Sequence, residues 1–382
     1  MYVMTKPVGA ACNMECRYCY YLEKKNLYAG AGAVMSDSLL EKFIKDYIEA
    51  QTLPQVMFTW HGGEPLLLPL SFYEKVVRLQ ERYGRGRQID NCIQTNGTLL
   101  NDDWAKFFHD HGWLVGVSID GPQRYHDLYR KMRNQEPSFT KVLRGIESLD
   151  RNAAEWNAMA VVNNVNADHP AEFYRFFKSI GCHYIQFTPV VERLVSEGGT
   201  ERLANIRDKC AGRPAEWSVT PGQWGRFLCR LFDEWKTRDV GVWFIQLFDT
   251  ILANWVGMPP GNCSFAPYCG HAGVMEHNGD VYSCDHFVFP EFRLGNIMRN
   301  TLVEMMFGER QQEFGRSKRD SLPKQCRRCE WLRLCNGECP KNRFGVSGDG
   351  EEGLNYLCEG YRRFFEHSAP FFERLALSFQ VR

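Results

Sequence analysis

The sequence lacks any segment that would place it in a membrane or export it. No apolar run in the 382 residues reaches the roughly 18 residues that a membrane-spanning helix needs. The first ten residues, MYVMTKPVGA, contain no apolar core of the kind that a secretory signal has. We therefore expect a soluble protein of the cytoplasm that has no membrane partner.

The sequence also lacks an excess of either charge. Acidic and basic residues number 46 each, so the formal net charge is +0. A balanced chain produces no global field that would attract nucleic acid or an anionic surface. We expect no nucleic-acid partner, and partner recognition must be local.

Disulfides are not expected either, although cysteine is abundant. The fifteen cysteines are an odd number in a chain without an export signal, where disulfides are rare. Thiolates held for metal or iron-sulfur chemistry explain the count better. The length suffices for two domains of ordinary size, and we expect two.

Residues 1–236 are predicted to form the first domain, because short β-like runs alternate there with amphipathic helical patterns. The six predicted strands are YVMTK, QVMFTW, QIDNCIQ, LVGVSI, WNAMAVV and HYIQFTPV. Six β-α units are too few for an eight-fold barrel, so we expect an α/β fold with a partial, TIM-like (β/α)6 barrel. The polar stretch that follows, residues 196–217, is predicted to be a surface loop.

Residues 237–382 are predicted to form a second domain, because the β-α rhythm stops there and cysteines become dense. Within it, Asn278 and Gly279 stand between two β-like arms, which is a strong signal for a hairpin with a two-residue turn. The hairpin would present Cys284 and Asp285 at a strand end.

Three cysteines, Cys12, Cys16 and Cys19, follow the first predicted strand. A 4Fe-4S cubane has four iron corners, which are normally bound by four thiolates. Three thiolates leave one iron open to a ligand from outside the protein. The alternatives are a zinc site completed by a distant histidine, or three buried structural cysteines.

Glycine and polar residues follow the next three strands, in the stretches HGGEP, TNGT and SIDGP. Active sites of such barrels lie at the carboxyl ends of the strands. Gly62 and Gly63 would let the backbone approach a ligand closely, because they carry no Cβ. Ordinary turns and loop caps would explain the same residues.

The C-x3-C-x2-C spacing followed by GGEP resembles the radical S-adenosylmethionine (SAM) superfamily. This resemblance implies that the open iron chelates the methionine part of SAM. It also implies an aromatic residue before the third cysteine, here Tyr18, and a set of groups around SAM. In this sequence the peptide groups of Gly62 and Gly63, together with Glu64, would hold the amino group of SAM. Asn96, Ser118 and Asp120 would reach its ribose or carboxylate.

The later cysteines resemble the SPASM extension of radical SAM enzymes, which carries two auxiliary 4Fe-4S clusters. The resemblance implies that the ligands interleave. One cluster would be held by Cys263, Cys269, Cys284 and Cys339, and the other by Cys326, Cys329, Cys335 and Cys358. A pair of structural zinc ions is the alternative.

The stretches WHGGEPLL, CDHF and CNGECPKNRF resemble the anaerobic sulfatase-maturating enzymes. These oxidoreductases carry out a post-translational modification: they oxidise an active-site Cys or Ser of a sulfatase to Cα-formylglycine without oxygen. The resemblance implies that a 5′-deoxyadenosyl radical from SAM removes a β-hydrogen. It also implies two partners, namely an unfolded or nascent sulfatase segment and a flavodoxin or ferredoxin-type reductant.

Three residues are candidates for catalysis by this resemblance. Asp285 corresponds to the family's proposed base, and Tyr21 matches an aromatic residue near the substrate. His61 stands where some members have glutamine, so it is a candidate for a catalytic or substrate contact. The simpler alternatives are a carboxylate bonded to backbone amides, a tyrosine packed under the loop, and a histidine that only donates a hydrogen bond.

Two other functions compete with this one. The first is a SPASM enzyme that crosslinks or otherwise modifies a ribosomal peptide, and the second is a non-enzymatic iron-sulfur or zinc protein. The three open-site cysteines beside a glycine pair argue against the second. No residue that we identify selects Cys over Ser as the substrate.

Overall fold

The computed structural model of the protein describes residues 1–28, 34–205 and 208–380. Within these ranges, no helix combines the length and apolar character needed to cross a bilayer.

The strands are numbered in chain order. They are β1 (Tyr2–Lys6), β2 (Gln55–Trp60), β3 (Gln88–Thr95), β4 (Leu114–Ser118), β5 (Trp156–Val162), β6 (Tyr184–Pro189), β7 (Arg193–Glu197), β8 (Thr200–Leu203), β9 (Arg213–Pro214), β10 (Phe244–Ile245), β11 (Ala272–Glu276), β12 (Asp280–Tyr282), β13 (Arg293–Asn296), β14 (Gly345–Val346) and β15 (Glu352–Leu354).

The helices are numbered in the same way. They are α1 (Asp37–Glu49), α2 (Leu70–Gly84), α3 (Asp102–Asp110), α4 (Gln123–Tyr129), α5 (Phe139–Arg151), α6 (Pro170–Ser179), α7 (Pro221–Arg238), α8 (Gln246–Trp255), α9 (Leu302–Phe307), α10 (Glu309–Asp320), α11 (Lys324–Arg327), α12 (Leu332–Cys335) and α13 (Cys358–Gln380).

The chain divides into two compact units. The first unit comprises Met1–Ile119, His126–Ala158 and Gly270–Gly315. The second comprises Asp120–Tyr125, Met159–Cys269 and Arg316–Arg382.

The sheet of the first unit has the strand order β4-β3-β2-β1-β11-β12-β13. Strands β1 to β4 are parallel, and β1 also pairs in parallel with β11, Tyr2 opposite Ala272. Strand β12 is antiparallel to both of its neighbours, β11 and β13. The loop after β1 and the end of β11 therefore lie at the same edge of one sheet.

In the second unit, β10 pairs in parallel with β6. The strand that follows β6 in the sheet order is β5, whose last residues belong to this unit. The predicted α/β fold class is confirmed, because all six predicted strands form and helices lie between them. Strands β1, β2 and β5 have the predicted bounds, and the other three differ by one residue at one or both ends.

Helix α1 illustrates why the helices form. The Ser36 side chain accepts a hydrogen bond from Leu39 N and so caps the first turn. The apolar residues recur at helical spacing and are all buried. They are Leu39, Leu40, Phe43, Ile44, Tyr47 and Ile48.

Two turns differ from the prediction. The stretch predicted as a surface loop instead contributes to a three-stranded antiparallel sheet, β8-β7-β9, because Gly198 and Gly199 adopt φ of +59° and +82° and so reverse the chain tightly. The predicted hairpin forms from β11 and β12, but its turn has three residues, His277 to Gly279. Gly279, at φ +86°, supplies the left-handed conformation that such a turn needs.

Candidate functional site

The loop after β1 carries Cys12, Cys16 and Cys19, all partly buried. A turn between the last two is closed by a 3.0 Å hydrogen bond from Cys19 N to Cys16 O. The Cys12 sulfur accepts a hydrogen bond from Met14 N at 3.4 Å. Burial and the nearby Glu64 carboxylate raise the pKa of Cys12 to about 11. Such a thiol becomes a thiolate when a metal cation replaces its proton, so this loop fits an iron-sulfur cluster.

The glycine pair after β2 lies directly against the cysteine loop. Gly63 N donates to Gly9 O at 2.7 Å, and Glu64 N donates to Ala11 O at 2.8 Å. A Cβ added at Gly63 would stand 2.0 Å from Ala11 O. The absence of a side chain at Gly63 is therefore required for this close approach.

The Glu64 carboxylate joins the ends of β2 and β3. It is fully buried and accepts hydrogen bonds from Leu66 N at 3.0 Å, Thr95 Oγ1 at 2.7 Å and Asn96 N at 2.7 Å. Burial raises the pKa of Glu64 to about 7, although these bonds and the charge of Arg130 oppose the rise. The carboxylate thus holds the strand ends together from inside the protein.

Asn96 and Ser118 stand at the ends of β3 and β4. The Asn96 amide donates to Asn13 Oδ1 at 2.8 Å and approaches the Cys12 sulfur at 3.7 Å. Ser118 Oγ accepts a hydrogen bond from Gln94 Nε2 at 3.0 Å. Asn96 therefore belongs to the cysteine loop's own hydrogen-bond network.

Tyr18 has a partner that the motifs did not reveal. Its hydroxyl accepts a 2.9 Å hydrogen bond from the buried guanidinium of Arg130, which follows α4. Asp120 belongs to the second unit, where it is buried and accepts a hydrogen bond from Val161 N at 3.0 Å.

Asp285 begins a short 3-10 helix after β12 and contacts two residues from the start of the chain. Lys6, whose side chain is fully buried, forms an ion pair with it, and Tyr20 donates its hydroxyl hydrogen to it. Burial alone would raise the pKa of Asp285, but the charge of Lys6, with the charges that His61 and His286 carry when protonated, outweighs burial and holds the pKa well below its usual range. Asp285 is therefore a carboxylate at neutral pH.

A second carboxylate in this region is fully buried. Glu276, at the end of β11, accepts a hydrogen bond from the Tyr21 hydroxyl. The Lys6 ammonium stands 3.2 Å from the centre of the Tyr21 ring, at the distance of a cation-π contact. Tyr21 is only 3% exposed, so it packs beneath Lys6 and holds that side chain towards Asp285.

His61 is held as a neutral ring. Its Nδ1 accepts a 2.8 Å hydrogen bond from Gly62 N, so the proton of the neutral imidazole is on Nε2. Burial, reinforced by the charge of Lys6 and opposed by that of Asp285, lowers the pKa of His61 to about 4. The ring can donate a hydrogen bond through Nε2 at neutral pH.

This lowered pKa predicts a pH dependence of stability. An unfolded histidine protonates near pH 6.5, whereas folded His61 stays neutral to about pH 4. The unfolded state therefore binds more protons in this window, and the free energy of unfolding should fall as pH drops from 6.5 to 4, by at most about 1.4 kcal/mol per pH unit. Denaturant unfolding of wild type and of His61→Gln at pH 7.5 and 5 measures it. Parallel changes in both proteins would contradict this expectation.

In the second unit, four thiols line one cavity of about 310 Å³. They are Cys326, Cys329, Cys335 and Cys358. Within the described ranges, no group of three or more His, Cys, Asp or Glu side chains is arranged to hold a metal ion. Thiols placed around a volume suit a cluster, in which each thiolate binds a different iron, better than a single zinc ion.

Three further cysteines, Cys263, Cys269 and Cys339, interact electrostatically with one another in the second unit. Burial and the neighbouring Glu338 carboxylate raise the pKa of the Cys339 thiol. Cys284 belongs to the first unit, where it directly precedes the 3-10 helix that starts at Asp285.

Sequence reasoning missed the residues that surround the predicted site residues. They are Lys6, Tyr20, Arg130 and Glu276. Lys6 is the last residue of β1, whose other residues are apolar or neutral. Its charge could therefore have marked Lys6 as a candidate site residue from the sequence alone. The other three have no local signal, because their partners are distant in the sequence.

Comparisons with known proteins match two separate parts of the chain to known families. Residues 7–177 match the Radical SAM superfamily, and residues 268–330 match SPASM, an iron-sulfur cluster-binding domain. The chain is 62% identical over 374 residues to the serine-type anaerobic sulfatase-maturating enzyme of Bacteroides thetaiotaomicron, covering 98% of this chain and 90% of that enzyme. It is 32% identical to the cysteine-type enzyme of Clostridium perfringens, covering 96% of each. It is also similar to a solved structure of native anSMEcpe with bound AdoMet and Cp18Cys peptide, with 31% identity, a TM-score of 0.86 and 99% of both chains covered.

Proposed function

The chain belongs to the anaerobic sulfatase-maturating enzymes of the radical SAM superfamily, and on that basis we propose that its substrate residue is a serine. The enzyme converts an active-site Cys or Ser of a sulfatase to Cα-formylglycine without oxygen. Its 62% identity to a serine-type enzyme, against 32% to a cysteine-type enzyme, supports serine.

The predicted family is confirmed, and it explains the sequence without either of the two competing functions. A relative that is 62% identical over 98% of the chain accounts for the whole sequence, including the cysteine-rich part. The predicted cofactors, SAM and three 4Fe-4S clusters of which two are auxiliary, are those of this family.

We propose the following ligands for these cofactors. Cys12, Cys16 and Cys19 would hold the cluster that binds SAM. The auxiliary clusters would be held by two sets, Cys263, Cys269, Cys284 and Cys339, and Cys326, Cys329, Cys335 and Cys358. When bound, SAM with its cluster supplies the 5′-deoxyadenosyl radical that removes the β-hydrogen of the substrate residue, and the auxiliary clusters offer electron acceptors.

The contacts proposed for SAM come from the ends of β1 to β4. The peptide groups of Gly62 and Gly63 have no side chain in front of them, and Asn96 lies beside Cys12. Glu64 would act by fixing these strand ends, since three protein donors already occupy its carboxylate. Tyr18, Ser118 and Asp120 complete the proposed set.

Asp285 is proposed to take the hydroxyl proton of the substrate serine. Oxidation of an alcohol to an aldehyde removes one hydrogen atom, one proton and one electron, so an acceptor for the proton is required. The observation that carries this proposal is the ion pair with buried Lys6, which keeps Asp285 ionised. We propose that His61 donates a hydrogen bond through Nε2, and that Tyr21 supports Lys6 from below.

Two peptides test the choice of substrate residue. Anaerobically reconstituted enzyme would be given SAM, a strong reductant and a sulfatase-motif peptide that carries either Ser or Cys. We expect the Ser peptide to lose two hydrogens faster than the Cys peptide exchanges sulfur for oxygen, as measured by mass spectrometry. Cys12→Ala is the control without radical chemistry. Faster oxidation of the Cys peptide would reject serine while leaving the family activity in place.

The remaining partners are also proposals. A flavodoxin or ferredoxin-type protein would deliver the electron to the first cluster, and the sulfatase would be bound as an unfolded or nascent segment in the cytoplasm. The need to reach one residue of a polypeptide before it is buried supports the unfolded substrate.

A further inference from the structure

Lys318, near the end of α10, is a cation in the cysteine-rich part of the second unit. Its side chain is fully buried, and its ammonium donates to the carbonyl oxygens of Cys263 and Ser264 at 2.8 Å each. No ion pair found in the described ranges includes Lys318. A buried ammonium without a counterion is costly, so a negative charge is expected next to it.

Arg343 is a second such cation. Its guanidinium donates to Gly337 O at 2.8 Å, to Asn336 O at 2.9 Å and to Glu338 O at 3.1 Å, and it also donates to Lys318 O. All of these acceptors are neutral carbonyls, and the ion pairs of the described residues do not include Arg343 either.

The carboxylate in this region has other partners. Glu338 is buried and accepts hydrogen bonds from Asn355 Nδ2 at 2.6 Å and from Asn342 Nδ2 at 3.1 Å. Burial raises the pKa of Glu338, although these hydrogen bonds and the positive charge of Lys318 oppose the rise. Neutral amides, rather than the two cations, therefore satisfy this carboxylate.

Besides Glu338, the groups beside the cations that can become negative are the cysteines, whose thiols lose their protons when they bind iron. Lys318 interacts electrostatically with Cys269 and Cys339, which belong to the first proposed auxiliary set. Arg343 interacts with Cys339 of that set, and also with Cys326 and Cys335 of the second. The thiolates of a cubane carry more negative charge than its iron-sulfur core neutralises, so bound clusters would supply the missing counterions.

We propose that Lys318 and Arg343 are positioning residues that set the reduction potentials of the auxiliary clusters. Arg343 acts on both clusters, and Lys318 acts on the cluster held by Cys263, Cys269 and Cys339. This inference rests on the proposed cluster ligation. A fixed positive charge favours the reduced, more negative state of a cluster, so each residue raises the potential.

Redox titration of the full chain, followed by electron paramagnetic resonance, tests this inference. The parent protein carries Cys12→Ala, Cys16→Ala and Cys19→Ala, so that only the auxiliary clusters contribute. We expect Arg343→Gln to lower both midpoint potentials. Each should fall by ~59 mV, which for one electron corresponds to a tenfold change in the reduction equilibrium. Lys318→Met should lower one potential and leave the other unchanged, and Arg343→Lys should stay close to the parent.

Arg226→Gln is the matched control. Arg226 lies in the same unit, but it is half exposed and paired with Asp168 at 3.4 Å, so neither potential should move. Unchanged potentials in Arg343→Gln and Lys318→Met at full iron content would overturn the inference. If Arg343→Gln loses its clusters, the Lys318→Met variant decides the question. A shift in one of the two potentials supports the inference, and no shift in either potential overturns it. A parent that binds far fewer than about eight irons would overturn the proposed ligation, and the inference with it.

Discussion

Asp285→Asn is expected to stop formation of the aldehyde while SAM is still cleaved. An amide has the shape of the carboxylate but cannot accept the substrate proton, and loss of a positioned general base lowers rates by about 10²–10⁴-fold. SAM cleavage depends on the loop of Cys12, Cys16 and Cys19, and the amide oxygen can still accept the hydrogen bond from Tyr20 that joins position 285 to the end of this loop. The ratio of 5′-deoxyadenosine to oxidised peptide, measured by liquid chromatography and mass spectrometry, should therefore rise by the same factor.

A second variant separates chemistry from stability. Asp285→Asn leaves the fully buried Lys6 ammonium without its anionic partner, which is expected to cost about 3–5 kcal/mol of stability. The double variant Lys6→Met, Asp285→Asn removes both charges and should regain stability without regaining activity. If the double variant oxidised the peptide at the wild-type rate, another group would have to be the base.

Gly63→Ala is expected to slow SAM cleavage strongly. The new Cβ would stand 2.0 Å from the Ala11 carbonyl oxygen, so the glycine loop and the cysteine loop must move apart. A misplacement of about 1 Å at a reacting centre costs on the order of 10²-fold in rate. Formation of 5′-deoxyadenosine under reducing conditions, together with the iron content, measures the loss.

Gly84→Ala is the matched control for this change. Gly84 ends α2, and a Cβ there would meet Ile89 at 3.6 Å, an ordinary contact distance. Alanine should be neutral or stabilise the helix by about 0.5–1 kcal/mol. Equal SAM cleavage by the two alanine variants would show that the close approach at Gly63 is not needed.

Elements with a strong local pattern were predictable from the sequence. Strands β1, β2 and β5 and the Ser36 cap of α1 follow from short-range periodicity and capping chemistry. The hairpin of β7 and β8 was not predictable, because its strands are polar and a glycine pair like the one in its turn is also typical of a surface loop.

The candidate site was predictable only in part. Cysteine spacing and the glycine pair identify a cluster loop, since these signals lie within a few residues of one another. The surroundings of Asp285 were not predictable, because Lys6 and Tyr20 lie more than 260 positions away in the sequence. Such pairs depend on the strand order of the sheet, which local patterns do not encode.

The parallel pairing of β1 with β11 has a consequence for how the protein is made. Ala272 lies 270 positions after its partner Tyr2, so one edge of β1 stays unpaired while most of the chain is synthesised. At about 5–20 residues per second, this wait lasts roughly 14–54 seconds. An unpaired strand edge is a template for aggregation during that time. The nascent chain therefore has a period of vulnerability on the ribosome, and the Lys6-Asp285 pair forms only after it ends.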